Sequence, residues 1–313
     1  MVGNASSVSI SNSYVTSAIS STTTTANKLY FGGLVGDASS SASISNAYAI
    51  GNISVTGSGA GTSFVGGLVG RMGSSGAAVG GYIQNAYYSG TITTDANAVN
   101  YGGLAGYFRP GTWFSNSYYD MGNSTINGAS VLTVGGLYST QYDAWAKQGG
   151  ASVVVTPTSR LPLSIASAGL TQDATDATGK TYFISSNADL DKMLPFTQSA
   201  AGGAVNGYTF KLANDLSMTG ATTAYLPYFG ATEFKGNTYG VTNFAFTRAA
   251  TAQIGFLGAA YRSTLTDLKV NAVAYNGQTT NTVNALEYVG AAVGAMYGGT
   301  ISGGVSTLSA RVN

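Results

Sequence analysis

The chain has 313 residues with 13 Lys and Arg against 12 Asp and Glu, no Cys and no His, and only 8% are charged, where ordinary domains carry about 25%. So sparse a charge gives no electrostatic footprint for nucleic acid, and without Cys or His there are no disulfides, thiolate or imidazole metal sites, thiol nucleophiles or Ser-His triads. At 44% hydrophobic with a formal net charge of +1, the chain can bury a core and does not read as disordered.

The first residues, Met1-Val2-Gly3-Asn4-Ala5-Ser6, lack the basic and apolar regions of a signal peptide, and a repeating unit is under way by Ile10. The chain is therefore expected to be an internal piece of a longer one. No stretch of some 18 apolar residues could span a bilayer, and no polybasic amphipathic stretch suits its surface.

Two motifs then alternate. Gly-Gly-Leu-Val-Gly stands at 32–36 (Gly32, Gly33, Leu34, Gly36) and at 66–70 (Gly66, Gly67, Leu68, Gly70). It returns as Gly-Gly-Leu-Ala-Gly at 102–106 (Gly102, Gly103, Leu104, Gly106) and fades to Gly-Gly-Leu-Tyr at 135–138. Between the copies run Ile10-Ser11-Asn12-Ser13-Tyr14, Ile44-Ser45-Asn46-Ala47-Tyr48, Ile83-Gln84-Asn85-Ala86-Tyr87 and Phe114-Ser115-Asn116-Ser117-Tyr118. Intervals of 34, 36 and 33 residues between pentapeptides, and of 34, 39 and 31 between asparagines, fall in the range of solenoids, propellers and arrays. They are too elastic for a heptad register.

Within residues 31–56 the apolar positions alternate with small polar ones, as in Ile53-Ser54-Val55-Thr56, which is the signal of strands with one buried face. Three short strands per period fit one coil of a parallel β-helix; a propeller would need four strands and hairpin turns that are scarce here. In stacked coils, about 4.8 Å apart, Leu34, Leu68, Leu104 and Leu137 form one interior row and Asn12, Asn46, Asn85 and Asn116 another. Buried amides demand partners, which a ladder of like side chains supplies. The flanking glycines then serve a tight corner, a positive φ or close approach of neighbouring coils.

The array breaks after Tyr118-Tyr119-Asp120. Residues 136–148 read as a short capped helix, and residues 149–180, with Gly149, Gly150, Pro157 and Pro162, as a junction. A second array opens at Tyr182-Phe183-Ile184, followed by a helix over 186–194 with Ser186 and Asp189 at capping-box spacing. Strand patterns follow at 208–212, 240–247, 254–257, 265–270 and 288–293, the last echoing the pentapeptide.

With these motifs in view, the chain resembles GLUG-motif repeat proteins of large secreted bacterial adhesins of the filamentous-haemagglutinin type. Residues 31–118 resemble the family's array, Tyr118-Tyr119-Asp120 and residues 136–141 its closing sequence, and residues 181–313 an opening one. Gly135-Gly136-Leu137-Tyr138 and Gly290-Ala291-Ala292-Val293 are degenerate copies. The resemblance implies an all-β chain, a right-handed parallel β-helix (solenoid) with short helical insertions and a junction near 137–180. The expected organisation is one array over 1–136, a closing segment and linker over 137–180, and a second array over 181–313 continuing past the C-terminus.

The resemblance implies no catalytic, cofactor-binding or metal-binding residues, and a structural or adhesive, non-enzymatic segment at the bacterial cell surface or secreted. Expected partners are neighbouring coils of a longer chain, other copies in a filament, and a host or cell-surface glycan or protein. The alternative is a carbohydrate-active β-helix, lyase or hydrolase, or a glycan-binding module. Hydrolysis would need carboxylates converging on one groove, and the nearest to clusters are Asp173 with Asp176, Asp189 with Asp191, and Asp215. Tyr87-Tyr88, Tyr107-Phe108, Trp113-Phe114 and Tyr118-Tyr119 either present rings to a glycan or stack as rows against the coils.

Overall fold

The computed structural model describes residues 2–22, 28–56, 63–73, 81–94, 100–109, 112–148, 161–197, 207–230, 232–244, 253–272, 282–283, 288–303, 306–308 and 311–312. The junction's residues 149–160, with Gly149, Gly150 and Pro157, and residues 245–247 of one expected strand lie outside them. The described chain is mostly β, with parallel pairing throughout except for one short antiparallel pair and one isolated antiparallel bridge. It forms two compact units, Met1–Pro162 and Leu163–Asn313.

In the first unit, strands one period apart lie side by side in four parallel ladders. Val2 pairs Val35, Val35 pairs Val69 and Val69 pairs Ala105. The next ladder joins Ile10, Ile44, Ile83 and Phe114, a third joins Ile19, Ile53 and Ile92, and a fourth Tyr30, Phe64 and Asn100. Because equivalent residues meet, apolar columns form: Val35, Val69, Ile44, Ile83, Phe114, Ile53 and Ile92 are all within 1% of full burial. Each such side chain contributes roughly 1.5–3 kcal/mol by leaving water, which is what holds a chain with so few charges.

A period holds four strands rather than the expected three, as in Leu29–Gly32, Val35–Ser39, Ser43–Ile50 and Ile53–Thr56. The pentapeptide is not itself one strand. Its Gly33-Leu34 step is a bend between two strands, so alternation read across it joins segments that point in different directions.

In the second unit the ladder Tyr182, Phe210, Phe234, Leu265 and Ile301 runs through parallel strands from Thr181–Ile184 to Val293–Ser302. Thr171–Gln172 pairs antiparallel against Thr181–Ile184 and covers the edge at the start of this stack. Phe210, Phe229, Phe234 and Phe256 meet edge to face with centroids 5.7–6.2 Å apart. The expected 186–194 helix is Asn187–Met193, continuing as a 3-10 turn to Phe196. Asp189 accepts the Ser185 backbone N–H at 2.9 Å and the Ser186 hydroxyl at 3.3 Å, so the carboxylate, rather than the serine, does the capping.

Candidate functional site: stacked ladders and a closing cap

Asn12, Asn46, Asn85 and Asn116 all take left-handed backbone, with φ of 50°, 52°, 50° and 47°. Asparagine tolerates that region better than most residues, and here it turns each strand at the same point. The Asn85 amide donates to Asn46 Oδ1 at 3.1 Å, and the Asn116 amide to Asn85 Oδ1 at 2.9 Å. The column ends where the Trp145 indole N–H donates to Asn116 Oδ1 at 2.7 Å.

The pentapeptide glycines answer a different need. At none of the nine is φ positive; the constraint is space. A β-carbon on Gly32 would sit 2.2 Å from the Val35 carbonyl oxygen and on Gly66 2.0 Å from that of Val69, each within its own bend. One on Gly33 would meet Ala49 and the Gly67 carbonyl, one on Gly67 the Tyr88 ring and the Gly103 carbonyl at 2.2 Å, and one on Gly103 the Tyr119 ring at 2.3 Å. Gly36, Gly70 and Gly106 each face a backbone oxygen of a neighbouring strand within 2.7 Å, and Gly102 the Ala105 oxygen at 2.2 Å. The leucines are buried, and Leu34 N–H donates to the Leu68 carbonyl, as Leu68 N–H does to that of Leu104, both at 2.9 Å.

Leu137 does not continue that row. Gly136–Leu137 pairs instead with Tyr118–Asp120, placing Leu137 beside Asp120. The chain between crosses the end of the stack: the Thr133 hydroxyl accepts the Gly103 N–H at 3.0 Å, where Gly67 and Gly33 donate to the next period's backbone. The fourth pentapeptide is degenerate because it closes the array. Helix Ser139–Ala146 follows, with Tyr142, Trp145 and Ala146 buried. Asp120 ties it down, its Oδ1 accepting Gly122 N–H at 2.8 Å and the Ser139 hydroxyl at 2.7 Å while Oδ2 takes the Asn123 amide.

A second column stands beside the asparagines. Tyr14, Tyr48 and Tyr87 stack with centroids 5.0 and 4.9 Å apart and planes within 10°. Trp145 meets Tyr118 edge-on at 5.0 Å. Both faces of Tyr48 are thus taken by neighbours, which removes them as sugar platforms. Of the other rings singled out, Tyr88, Phe114, Tyr118 and Tyr119 are buried, and Trp113 stacks on Tyr82 at 4.6 Å. Burial pushes the Tyr88 and Tyr118 hydroxyls well above the usual phenol range, so both stay protonated near neutrality.

A hollow of about 380 Å³ is lined by Tyr48, Tyr87, Asp120, Asn123, Tyr142 and Asp143, among others. Its carboxylates are engaged, Asp120 as above and Asp143 with Lys147 at 2.7 Å. Asp37, on the Val35–Ser39 strand, receives both Arg71 Nε at 2.8 Å and Nη2 at 2.6 Å, and the guanidinium lies 4.2 Å over the Tyr30 ring. The pair clamps two periods together, and the Asp37 hydrogen bond holds the Arg71 pKa above its usual value.

In the second unit the acidic residues are dispersed. The Asp173 carboxyl is drawn down to about 2 by its bond to Lys211, helped by Thr175. Thr178 holds the Asp176 carboxyl well below the carboxylate range, and Asp215 accepts the Gly240 N–H at 2.7 Å. Asp191 takes the Thr223 hydroxyl at 2.6 Å. Among the described residues no group of three or more acidic residues could hold a metal ion, and no helix is long and apolar enough to cross a membrane.

No protein-family model, curated protein or solved structure matches the chain. The sequence pattern points to the Asn and Leu columns. It does not point to Trp145, Thr133 or Asp120, which lie outside the repeat and act once each. Arg71 carries a faint signal, since it occupies the same pentapeptide-relative position as Asp37 one period earlier.

Proposed function

We propose that the chain is a non-catalytic structural and adhesive segment of a large secreted or cell-surface bacterial protein, built as a right-handed parallel β-helix in which each period is one coil. The supporting observation is that equivalent residues of successive periods bond one another, Asn85 to Asn46 and Asn116 to Asn85. Side chains that would serve a ligand or a reaction are spent on neighbouring coils. The motif resemblance supports the extracellular setting, and a chain without cysteine suits export in an unfolded state.

Removing one whole coil tests the architecture. Deleting residues 66–101 joins Val65 to Gly102, its own successor in the repeat, and leaves every ladder in phase. The variant is expected to keep its far-UV circular dichroism and lose about 4.8 Å of length in small-angle scattering, whereas deletion of 66–83 alone unfolds the unit. Equal damage from both deletions would sink the stacked-coil reading. For the setting, antibodies against the chain should decorate intact cells of the source organism; labelling only after permeabilisation counts against a surface role.

A further inference from the structure

The hollow beside helix Ser139–Ala146 is made where the cap meets the strands, and its walls all belong to the first unit. Residues two apart on a strand share a face, so Tyr48 looks the same way as Ile50, Tyr87 as Ser89, and Tyr118 as Asp120. Ile50 pairs Ser89, and Asp120 stands one residue beyond the Tyr88–Tyr119 pair. The row beside the tyrosines therefore reads Ile50, Ser89, Asp120, and its middle member is the smallest. Tyr142 and Asp143 line the same space from the helix, which Asp120 anchors through the Ser139 hydroxyl. A dip in a row of larger side chains, walled by a helix, gives about 380 Å³, near the lower end of ligand sites at about 300–1,000 Å³.

The lining is rich in acceptors that are not used up. Each carboxylate oxygen has two acceptor sites. Asp120 Oδ2 takes the Asn123 amide, and Asp143, about half exposed, takes Lys147 on Oδ2. Unlike the column residues, Asp143 holds no neighbouring coil. Ile50, 37% exposed, supplies an apolar surface beside them.

That set of groups selects by chemistry. No lysine or arginine lines the hollow, so an anion finds no charge partner there. Two carboxylates fall short of the oxygen cage a hard cation needs. Tyr48 and Tyr87 are stacked on one another and offer edges and hydroxyls, whereas a quaternary ammonium needs ring faces. What remains is a compact neutral ligand with several hydroxyl donors and one apolar face.

We propose that this hollow binds a single neutral pyranose ring, its hydroxyls donating to Asp143 and Asp120 and its C–H face lying on Ile50. The site deepens the adhesive part of the proposed function. Failure of sugar binding with surface labelling retained removes this site alone, and loss of labelling with sugar binding retained removes the setting alone.

The test titrates the intact chain with the methyl pyranosides of glucose, galactose, mannose and N-acetylglucosamine, each to about 100 mM, well above a millimolar Kd. Tryptophan emission is one readout, because Trp145 packs against Tyr142 with centroids 5.6 Å apart; backbone amide shifts are the other. At least one glycoside is expected to saturate both, moving the amides of Ile50, Ser89, Asn123 and Asp143 and leaving those of Ile19–Thr22 in place. Glucuronate and choline, an anion and a quaternary cation, should bind at least about tenfold more weakly. Ser89→Leu fills the dip and Asp143→Ala removes an acceptor; each should weaken binding about tenfold without moving the urea midpoint. Ser54→Leu, on the outward face of Ile53–Thr56, should leave binding as it is. The proposal is overturned if no glycoside saturates, if glucuronate or choline binds as tightly as the best glycoside, or if Ser89→Leu or Asp143→Ala keeps the native affinity.

Discussion

Replacing Asn85 separates the two things the asparagine column does. Asn85→Ala removes the bonds to Asn46 and from Asn116, 3.1 and 2.9 Å long, at about 1 kcal/mol each. It also leaves a β-carbon on a backbone with φ of 50°, costing roughly 1 kcal/mol more. Asn46 is part-exposed and its amide can turn to water, but Asn116 is buried, so its freed amide adds about 1 kcal/mol of desolvation and the total is about 4 kcal/mol. Asn85→Gly loses the same bonds and strands the same amide but avoids the backbone term, for a loss of about 3 kcal/mol. Urea unfolding followed by tryptophan fluorescence is the assay, because the two tryptophans, Trp113 and Trp145, both lie in the first unit. The midpoints should fall in the order native, Gly, Ala. An alanine variant as stable as the native chain, or more stable than the glycine one, would refute the assignment of ladder and left-handed turn to this residue.

Gly67→Ala drives a β-carbon to 2.2 Å from the Tyr88 ring and the Gly103 oxygen, whereas Gly3→Ala meets nothing within 4 Å; the first should abolish cooperative unfolding by fluorescence and the second leave the monomer's midpoint unchanged. Arg71→Met strands the Asp37 carboxylate, 8% exposed, and should cost about 1–3 kcal/mol. Adding Asp37→Leu should recover most of that loss in urea titrations, a double-mutant cycle reading the coupling. In the second unit, the Asp173 carboxyl is held at about 2 against 3.8 in a free chain, chiefly by Lys211. A depressed carboxylate contributes stability present above its unfolded value and lost as pH falls from about 4 to about 2. Circular dichroism melts of that unit should decline through this window, and Lys211→Met should flatten the decline.

The rows that the repeat aligns were legible in the sequence, whereas the fourth strand of each period and the parts that occur once were not. Asn46, Asn85 and Asn116 recur after an apolar residue and before a tyrosine two positions on, so their alignment and amide ladder follow from periodicity alone. The pentapeptide glycines were legible as geometry but not as to which kind. A positive φ and a crowded β-carbon both select glycine, and only the placement of Tyr88, Tyr119 and the neighbouring carbonyls shows that crowding is the cause. Leu137 misled because it keeps the motif's letters while its strand moves to the ladder of Tyr118–Asp120. The cap at Trp145 and Thr133 had no second copy to be compared with, so one tryptophan in a helix of low amphipathicity gave no sign that it ends a column.

The ladders also set how the protein yields to a pull. Hydrogen bonds between periods point along the stacking direction, so tension applied end to end loads them in opening rather than in shear, and periods should detach one at a time from an exposed edge. On the proposed β-helix reading, each period of 31–39 residues occupies about 4.8 Å in the stack but pays out roughly 100–140 Å when drawn straight. Built as the proposed β-helix, the chain would give way in many small steps, lengthening about twentyfold before its backbone carries the load.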